Sequence, residues 1–353
     1  MNPQPFGLNP NSSLDEPAMR NQGRVLTRHV GLKPDLRSNE LSGLKITLCI
    51  PTLNPGIFAG RMVASLACQT LQPDEILVID SASTDGSINA FKKSGATIIS
   101  INRADFDHGG TRNLAFEKSP ADVYIFLTQD AIPADANAIE KLVLTLTENT
   151  SYALVYGRHA PSPGAGAFAR HERLYHYPAG DGAVVLKSRE DIPRLGIKTA
   201  FCSNSFAAYR HSAIREIGYF PVNTLFAEDS LAAARLLQRG WAVGYVPQAV
   251  VIHSHDNTLA QDFRRFFDTG AFHGMNRWYM DFLGKAEEEG IRFVRAEYGY
   301  LKRDGVTLPL LKVVFRNGVR WLGYKAGRLY KFLPFAMRRR FSTNKAFWKN
   351  ANL

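Results

Sequence analysis

The sequence predicts an α/β protein, a mostly parallel central sheet flanked by helices, followed by a helical, basic C-terminal extension. Three observations carry that expectation. Short β-rich apolar runs alternate with helix-length stretches, each run ends in a polar cluster, and positive charge is concentrated from Leu301 onward. Strand, helix, strand in regular order means a parallel sheet, and right-handed crossovers place the loops that follow the strands along one edge. Ligands bind at that carboxyl edge.

Residues 1–42 are rich in Asn, Pro, Ser and charge without periodicity and read as a mobile leader. The runs Ile46–Ile50, Glu75–Asp80, Ala96–Ile101 and Val123–Leu127 are too short for helices and rich in β-branched residues, so they read as strands. Helix-length stretches fall near 57–70, 86–94, 112–118 and 135–148. Ser230–Arg239, closed by Gly240, reads as a further helix opened by the acidic pair Glu228-Asp229. Unpaired N–H groups at a helix start favour anions, so that pair taken alone needs no function. The expected division is a sheet domain from 43 to about 260 and a helical region over 261–353.

A hydrophobic content of 45% in 353 residues is ample for a buried core. No apolar run approaches the ~20 residues of a bilayer-spanning helix, and the N-terminus lacks the basic-then-apolar pattern of a secretory signal. A cytoplasmic protein is expected. Cys49, Cys68 and Cys202 are odd in number, lack metal-site spacing and read as small packing residues.

Between Leu301 and Leu353, thirteen Lys or Arg face the single acid Asp304, so this tail carries +12 of a net +11 and the remainder about −1. At about 100° per residue, Leu311, Phe315, Leu322, Ala326 and Leu329 share one side of a helix over 311–332. Lys312, Arg316, Arg320, Arg328 and Lys331 lie largely opposite. Such a helix suits the plane of an anionic membrane surface, although a stripe docked on the protein's own core gives the same pattern. No nucleic-acid-binding motif appears, and nucleic acid is not an expected partner.

The polar strand ends are Pro51-Thr-Leu-Asn54, Asp80-Ser-Ala-Ser-Thr-Asp-Gly86, Asp105–Asn113 and Thr128-Gln-Asp130, with His253-Ser-His255 further on. A turn such as Asp85-Gly86 needs no function, but four polar ends in a row argue for a site. Neither a P-loop lysine nor G-x-G-x-x-G follows the first strand, which excludes a nucleoside triphosphatase or dinucleotide oxidoreductase of the usual kind.

In this order, from about 45 to 255, the segments Ile50–Asn54, Val78–Gly86, Gly109–Asn113, Phe126–Asp130 and Glu228-Asp229 resemble the family 2 inverting glycosyltransferases, with the GT-A nucleotide-sugar-binding fold. Asp105–Asn113, Ser254–Thr258 and Phe267–Gly270 resemble, more narrowly, bacterial rhamnosyltransferases of surface-polysaccharide assembly. The resemblance implies transfer of a sugar, L-rhamnose from dTDP-L-rhamnose, to a lipid-linked glycan acceptor in O-antigen or exopolysaccharide synthesis. Together with the basic amphipathic tail, this leads us to expect the enzyme peripherally on the inner face of the plasma membrane. A UDP-hexose transferase and a catalytically silent nucleotide-sugar-binding protein stand as alternatives.

The same resemblance implies roles for individual residues. Thr52, Asn54, Asp80 and Ser83 fall at the donor, with Asp80 accepting the N3–H of uracil or thymine; a turn acid is the plainer account of Asp80. Arg112 faces the donor's ribose or phosphate side unless it is an exposed helix charge. Asp130 matches the last acid of the Asp-x-Asp motif, holding Mg²⁺ or Mn²⁺ on the diphosphate with His253 or His255. Thr128 replaces the first acid of that motif, which removes one anionic contact. Asp229 matches the general base, while Glu228 and His108 orient the site or touch the acceptor. The segment 158–200, with Pro161-Ser-Pro-Gly164, falls where an acceptor loop is expected.

Overall fold

The computed structural model describes residues 41, 43–284, 287–303 and 310–350; the leader expected over 1–42, apart from Leu41, lies outside the described residues. Strands β1 (Ile46–Thr52), β2 (Glu75–Asp80), β3 (Thr97–Ser100) and β4 (Val123–Leu127) alternate with helices α1 (Ile57–Ala67), α2 (Ile88–Lys93) and α3 (His108–Lys118). They pair in parallel in the order β3-β2-β1-β4. Side chains alternate between two covered faces. Leu48, Ile50, Val78 and Ile125 pack with Met62 and Leu66 of α1, while Cys49, Leu77, Ile79 and Phe126 pack on the other side with Ala115 of α3. Burial on both faces explains why these strands read as continuous apolar runs.

Helix α3 begins four residues before the expected start. The Asp107 carboxylate caps it by accepting from the Gly110 amide at 2.7 Å, which offsets the poor helix propensity of two glycines. Gly109 also has no room for a side chain, because a Cβ there would strike the carbonyl of Pro221.

The second half of the sheet is mixed. After β5 (Ile132–Pro133) and α4 (Ala138–Glu148) come β6 (Tyr152–Ala160), α5 (Ala167–His176), β7 (Val185–Lys187), α6 (Ile192–Leu195), β8 (Phe206–Arg210), α7 (His211–Glu216), α8 (Glu228–Gln238) and β9 (Ala242–Ile252). β8 inserts antiparallel between β4 and β6, β9 lies parallel to β6, and the two-residue β5 closes antiparallel on the end of β9. That last pairing turns the loop after β4 back toward the residues that follow β9. Cys49 and Cys202 are buried as expected, but Cys68, at the end of α1, is exposed.

The C-terminal region comprises α9 (Leu259–Met275), α10 (Arg277–Leu283), α11 (Glu287–Arg303), α12 (Leu310–Arg328), α13 (Phe335–Phe341) and α14 (Lys345–Asn350). α12 lies against α9 along a glycine seam, where a Cβ on Gly270, Gly323 or Gly327 would strike the facing backbone. The cations Arg316 and Arg320 point inward. Arg316 Nε and Arg320 Nε meet Asp262 Oδ2 at 2.6 and 3.0 Å, and Arg320 Nη1 meets Glu297 Oε1 at 2.9 Å. The apolar stripe of the same helix points outward: Leu311, Phe315, Leu322 and Leu329 are 76%, 60%, 55% and 55% exposed, and Val314 and Trp321 are exposed beside them. α12 thus docks through Val313, the glycines and the paired Arg316 and Arg320, leaving its apolar stripe and the cations Lys312, Lys325 and Arg328 exposed. Beyond it, Trp348 is fully buried in a cluster with Leu225, Phe267 and Tyr330, which anchors the end of the chain on the body.

Candidate active site

The carboxyl edge of the sheet gathers the predicted residues into three neighbouring groups. At the ends of β1 and β2, where Thr52 pairs with Asp80, the two loops are laced together. Thr84 N donates to Asn54 Oδ1 and Asn54 N to Ser83 Oγ, both at 2.8 Å, and Gly56 N reaches Asp85 Oδ2 at the same distance. Asn54 and Ala82 take positive φ to make these turns. Asp80, buried, accepts from Ser83 N at 3.2 Å. Thr52 is buried, and its hydroxyl donates to the carbonyl of Ile50. Beside them opens a cleft of about 740 Å³ lined by Asp80, Ser83, Ser100, Asn102, Asp105 and Thr111 among others. Its mixed polar and apolar walls, which include Ile101 and Leu114, and its position at the strand ends suit a nucleotide-sized ligand.

The second group follows β4 and β9. Asp130 Oδ2 lies 3.2 Å from His255 Nε2 and its Oδ1 3.6 Å from His253 Nε2, while the two Nε2 atoms are 3.1 Å apart. One ligand atom from each of the three residues falls within 4.8 Å of the others. Burial would raise the Asp130 carboxyl, but the hydrogen bonds and charges of His253 and His255 hold it well below the usual range. His255 is half exposed, so the cluster opens to solvent. Behind it, His253 Nδ1 is 3.2 Å from Nδ1 of the buried His159. Thr128 has a buried hydroxyl without a partner.

The third group is the acidic pair at the start of α8. Ala227, with φ of 59°, holds a left-handed conformation that costs a non-glycine residue on the order of 1 kcal/mol, and it turns the chain into the helix. Glu228 is buried and pairs with Arg112 Nη1 at 3.2 Å. Arg112, expected beside the donor, sends its guanidinium to Glu228 and to the carbonyl of His108 at 2.8 Å. Asn204 N donates to Asp229 Oδ2 at 3.1 Å, and Asn204 Nδ2 to Glu228 Oε1 at 3.0 Å. Burial and the neighbouring charge of Glu228 push the Asp229 carboxyl up, whereas the Arg112 charge holds Glu228 down against its own burial. Burial likewise lowers His108, keeping its imidazole neutral beside the acids.

Sequence reasoning missed Asn204, Gln129, Ala227 and His159. Gln129 grips the backbone of Leu53 in both directions, accepting from its N–H at 2.7 Å and donating to its carbonyl at 3.1 Å. It ties the β4 loop to the β1 loop. Gln129 lies inside the quoted Thr128-Gln-Asp130 cluster, so position alone marked it; Asn204 carries no local signal, since its role rests on the antiparallel placement of β8.

A nucleotide-sized cleft, a carboxylate with two imidazoles, and a partly buried acid raised by desolvation and by its neighbour lie on one edge of an α/β sheet, an arrangement that suits a glycosyl-transferring enzyme. The family model "Glycosyl transferase family 2" matches residues 47–218. The O-antigen chain rhamnosyltransferase RfbN of Salmonella typhimurium is 42% identical over 309 residues, 87% of this chain and 97% of its own length. The O-antigen chain rhamnosyltransferase WbaN of Salmonella anatum is 40% identical over 306 residues, 86% of this chain and 96% of its own. The chain belongs to glycosyltransferase family 2. Its fold resembles that of the mannosyltransferase PcManGT from Pyrobaculum calidifontis, solved in complex with GDP-Man and Mn²⁺, with a TM-score of 0.54 at 16% identity over 87% of this chain and 88% of that one.

Proposed function

We propose that the protein transfers an L-rhamnosyl residue from dTDP-L-rhamnose, with inversion, to a lipid-linked glycan acceptor of O-antigen synthesis. The observation that carries the chemistry is the pair Glu228-Asp229, the first acid buried and held ionised by Arg112, the second partly buried and raised toward the range in which a base works at neutral pH. The names of the two Salmonella relatives, matched over nearly their whole length, support the sugar.

Asp229 takes the acceptor hydroxyl's proton as that oxygen attacks the anomeric carbon opposite the departing nucleoside diphosphate. Asn204 fixes the carboxylate from behind, and Glu228, salt-bridged to Arg112, keeps it basic. Asp80 and Ser83 line the cleft that takes the nucleoside. The convergent donor atoms of Asp130, His253 and His255 fit a divalent cation. One carboxylate with two imidazoles suits Mn²⁺ better than Mg²⁺, which prefers oxygen. An ion held there would neutralise charge on the leaving diphosphate. Thr128 leaves the site one carboxylate short of the family's motif.

The outward apolar face of α12, flanked by the exposed cations Lys312, Lys325 and Arg328, supports peripheral attachment to the anionic inner face of the plasma membrane. No helix among the described residues is long and apolar enough to cross a membrane. The division at about 260 is proposed on the same ground: residues 261–353 hold the catalytic body to the leaflet where a lipid-linked acceptor resides.

The experiment is a donor panel with purified enzyme and NMR of the product. Transfer from dTDP-L-rhamnose with inverted anomeric configuration is expected; preferred use of a UDP-hexose, or donor binding without transfer, overturns the reading.

A further inference from the structure

We propose that His159 is a positioning residue that fixes the tautomer and orientation of His253. The inference rests on the assignment of Asp130, His253 and His255 as a cation site.

Its basis is the placement of three rings. β6 and β9 run parallel, but three residues of β9, 247–249, intervene between the pairs Gly157↔Val246 and Arg158↔Val250. An odd insertion reverses which side chains share a face. It leaves His159 opposite Val251 and on the same face as His253, whose backbone N–H continues the ladder to the carbonyl of Ala160 at 3.0 Å. The His159 ring is 1% exposed and stacks on Tyr177 with centroids 4.1 Å apart and planes 10° off parallel. It meets His253 edge-on, Nδ1 to Nδ1 at 3.2 Å.

A neutral imidazole carries one proton. For His253 Nε2 to offer its lone pair toward Asp130 and His255, the proton must sit on Nδ1, and the partner the structure gives Nδ1 is His159. His159 is therefore the acceptor of that N–H, held by Tyr177 so that the His253 ring cannot turn. Ligating histidines are commonly oriented through their second nitrogen in this way, usually by a carboxylate or carbonyl. A purely structural filler would do better without nitrogens: His159 Nε2 is buried with no hydrogen-bond partner, which is destabilising.

The test titrates Mn²⁺ alone into wild type, Asp130→Ala, His159→Phe and His159→Asn, reading the free-ion electron paramagnetic resonance signal, with circular dichroism to confirm folding. Phe keeps the stacking ring but offers no acceptor, whereas the Asn carbonyl reaches the level of Nδ1. Weakening of about 10- to 100-fold is expected for His159→Phe, with most of the affinity restored in His159→Asn. Should the Phe variant not fold, His159→Gln, whose amide falls at the level of Nε2, takes its place in the comparison. Binding by His159→Phe equal to wild type overturns the inference. So does equal weakening in the Phe and Asn variants, which would assign His159 to packing. Absence of Mn²⁺ binding by wild type, or binding untouched by Asp130→Ala, overturns the cation site and the inference with it.

Discussion

The backbone amide of Asn204 donates to Asp229 Oδ2 at 3.1 Å. Its side chain meanwhile joins Glu228 at 3.0 Å and accepts from the Tyr209 hydroxyl at 2.7 Å. One residue in the turn that leads into β8 thus aligns both acids of α8, and it does so beside the β4 loop, since Thr128 N reaches the carbonyl of its neighbour Ser205. The Asp229 carboxylate and the Asp130 loop are set by adjacent strand ends.

If Asp229 is the base, Asp229→Asn preserves shape and loses only proton removal. Transfer should fall by about two to four decades, with dissociation of dTDP, measured by calorimetry, unchanged. Near-normal turnover in a folded variant would remove Asp229 from the role.

The pair also predicts a pH response. Asp229 is pushed up to about 7 by burial and then by the Glu228 charge. A base works ionised, so kcat/KM should rise with pH through neutrality. Glu228→Gln removes a negative neighbour, lowers the Asp229 pKa and should move the acid limb down by about one unit. An unmoved limb would assign that titration to another group.

Chelation should abolish transfer, and Mn²⁺ should restore more of it than Mg²⁺ at equal concentration, because two of three candidate ligands are imidazoles. Full turnover in excess chelator would shift charge neutralisation to the protein's own cations.

Arg320→Ala should destabilise the fold by about 3–5 kcal/mol in urea unfolding, since it leaves the buried Glu297 without its cation and Asp262 with Arg316 alone. The exposed Lys325→Ala is the control, expected within about 0.5 kcal/mol of wild type. Equal effects would mean the ion network is not what docks α12.

Phe315→Glu combined with Leu322→Glu places charge on the exposed apolar face and should not disturb folding. Sedimentation with anionic phosphatidylglycerol vesicles should drop at least about tenfold, while donor hydrolysis in solution persists. Undiminished binding would locate the membrane contact elsewhere. Deleting the tail from residue 310 is a poorer test, because it strips Tyr330 and Trp348 from the apolar cluster around Phe267.

The strand ends were legible because short continuous apolar runs closed by Asp, Asn, Ser and Gly, with helix-length stretches between them, have few other solutions. Asp130, His253 and His255 meet as expected, though the device that joins them, β5 zipped to the end of β9, is only two residues long and left no pattern. The orientation of α12 was not legible. Its stripe and its cations were plain, but the acids that draw Arg316 and Arg320 inward lie 54 and 23 residues away in the chain, at Asp262 and Glu297. The ion pair of Arg112 was hidden for a similar reason: its partner Glu228 sits on a helix more than a hundred residues on.

The outward face of α12 has a consequence for the protein in a test tube. Leu311, Phe315 and Leu322, together with Phe332 at 85% exposure, form a strip that water tolerates poorly and that no described part of the chain covers. Neighbouring cations keep such strips apart by mutual repulsion, and added salt screens that repulsion while strengthening apolar contact. The colloidal behaviour should therefore run opposite to that of an ordinary basic protein held together by charge. Raising ionic strength would promote clumping, and a mild detergent, rather than salt, would keep the particles single.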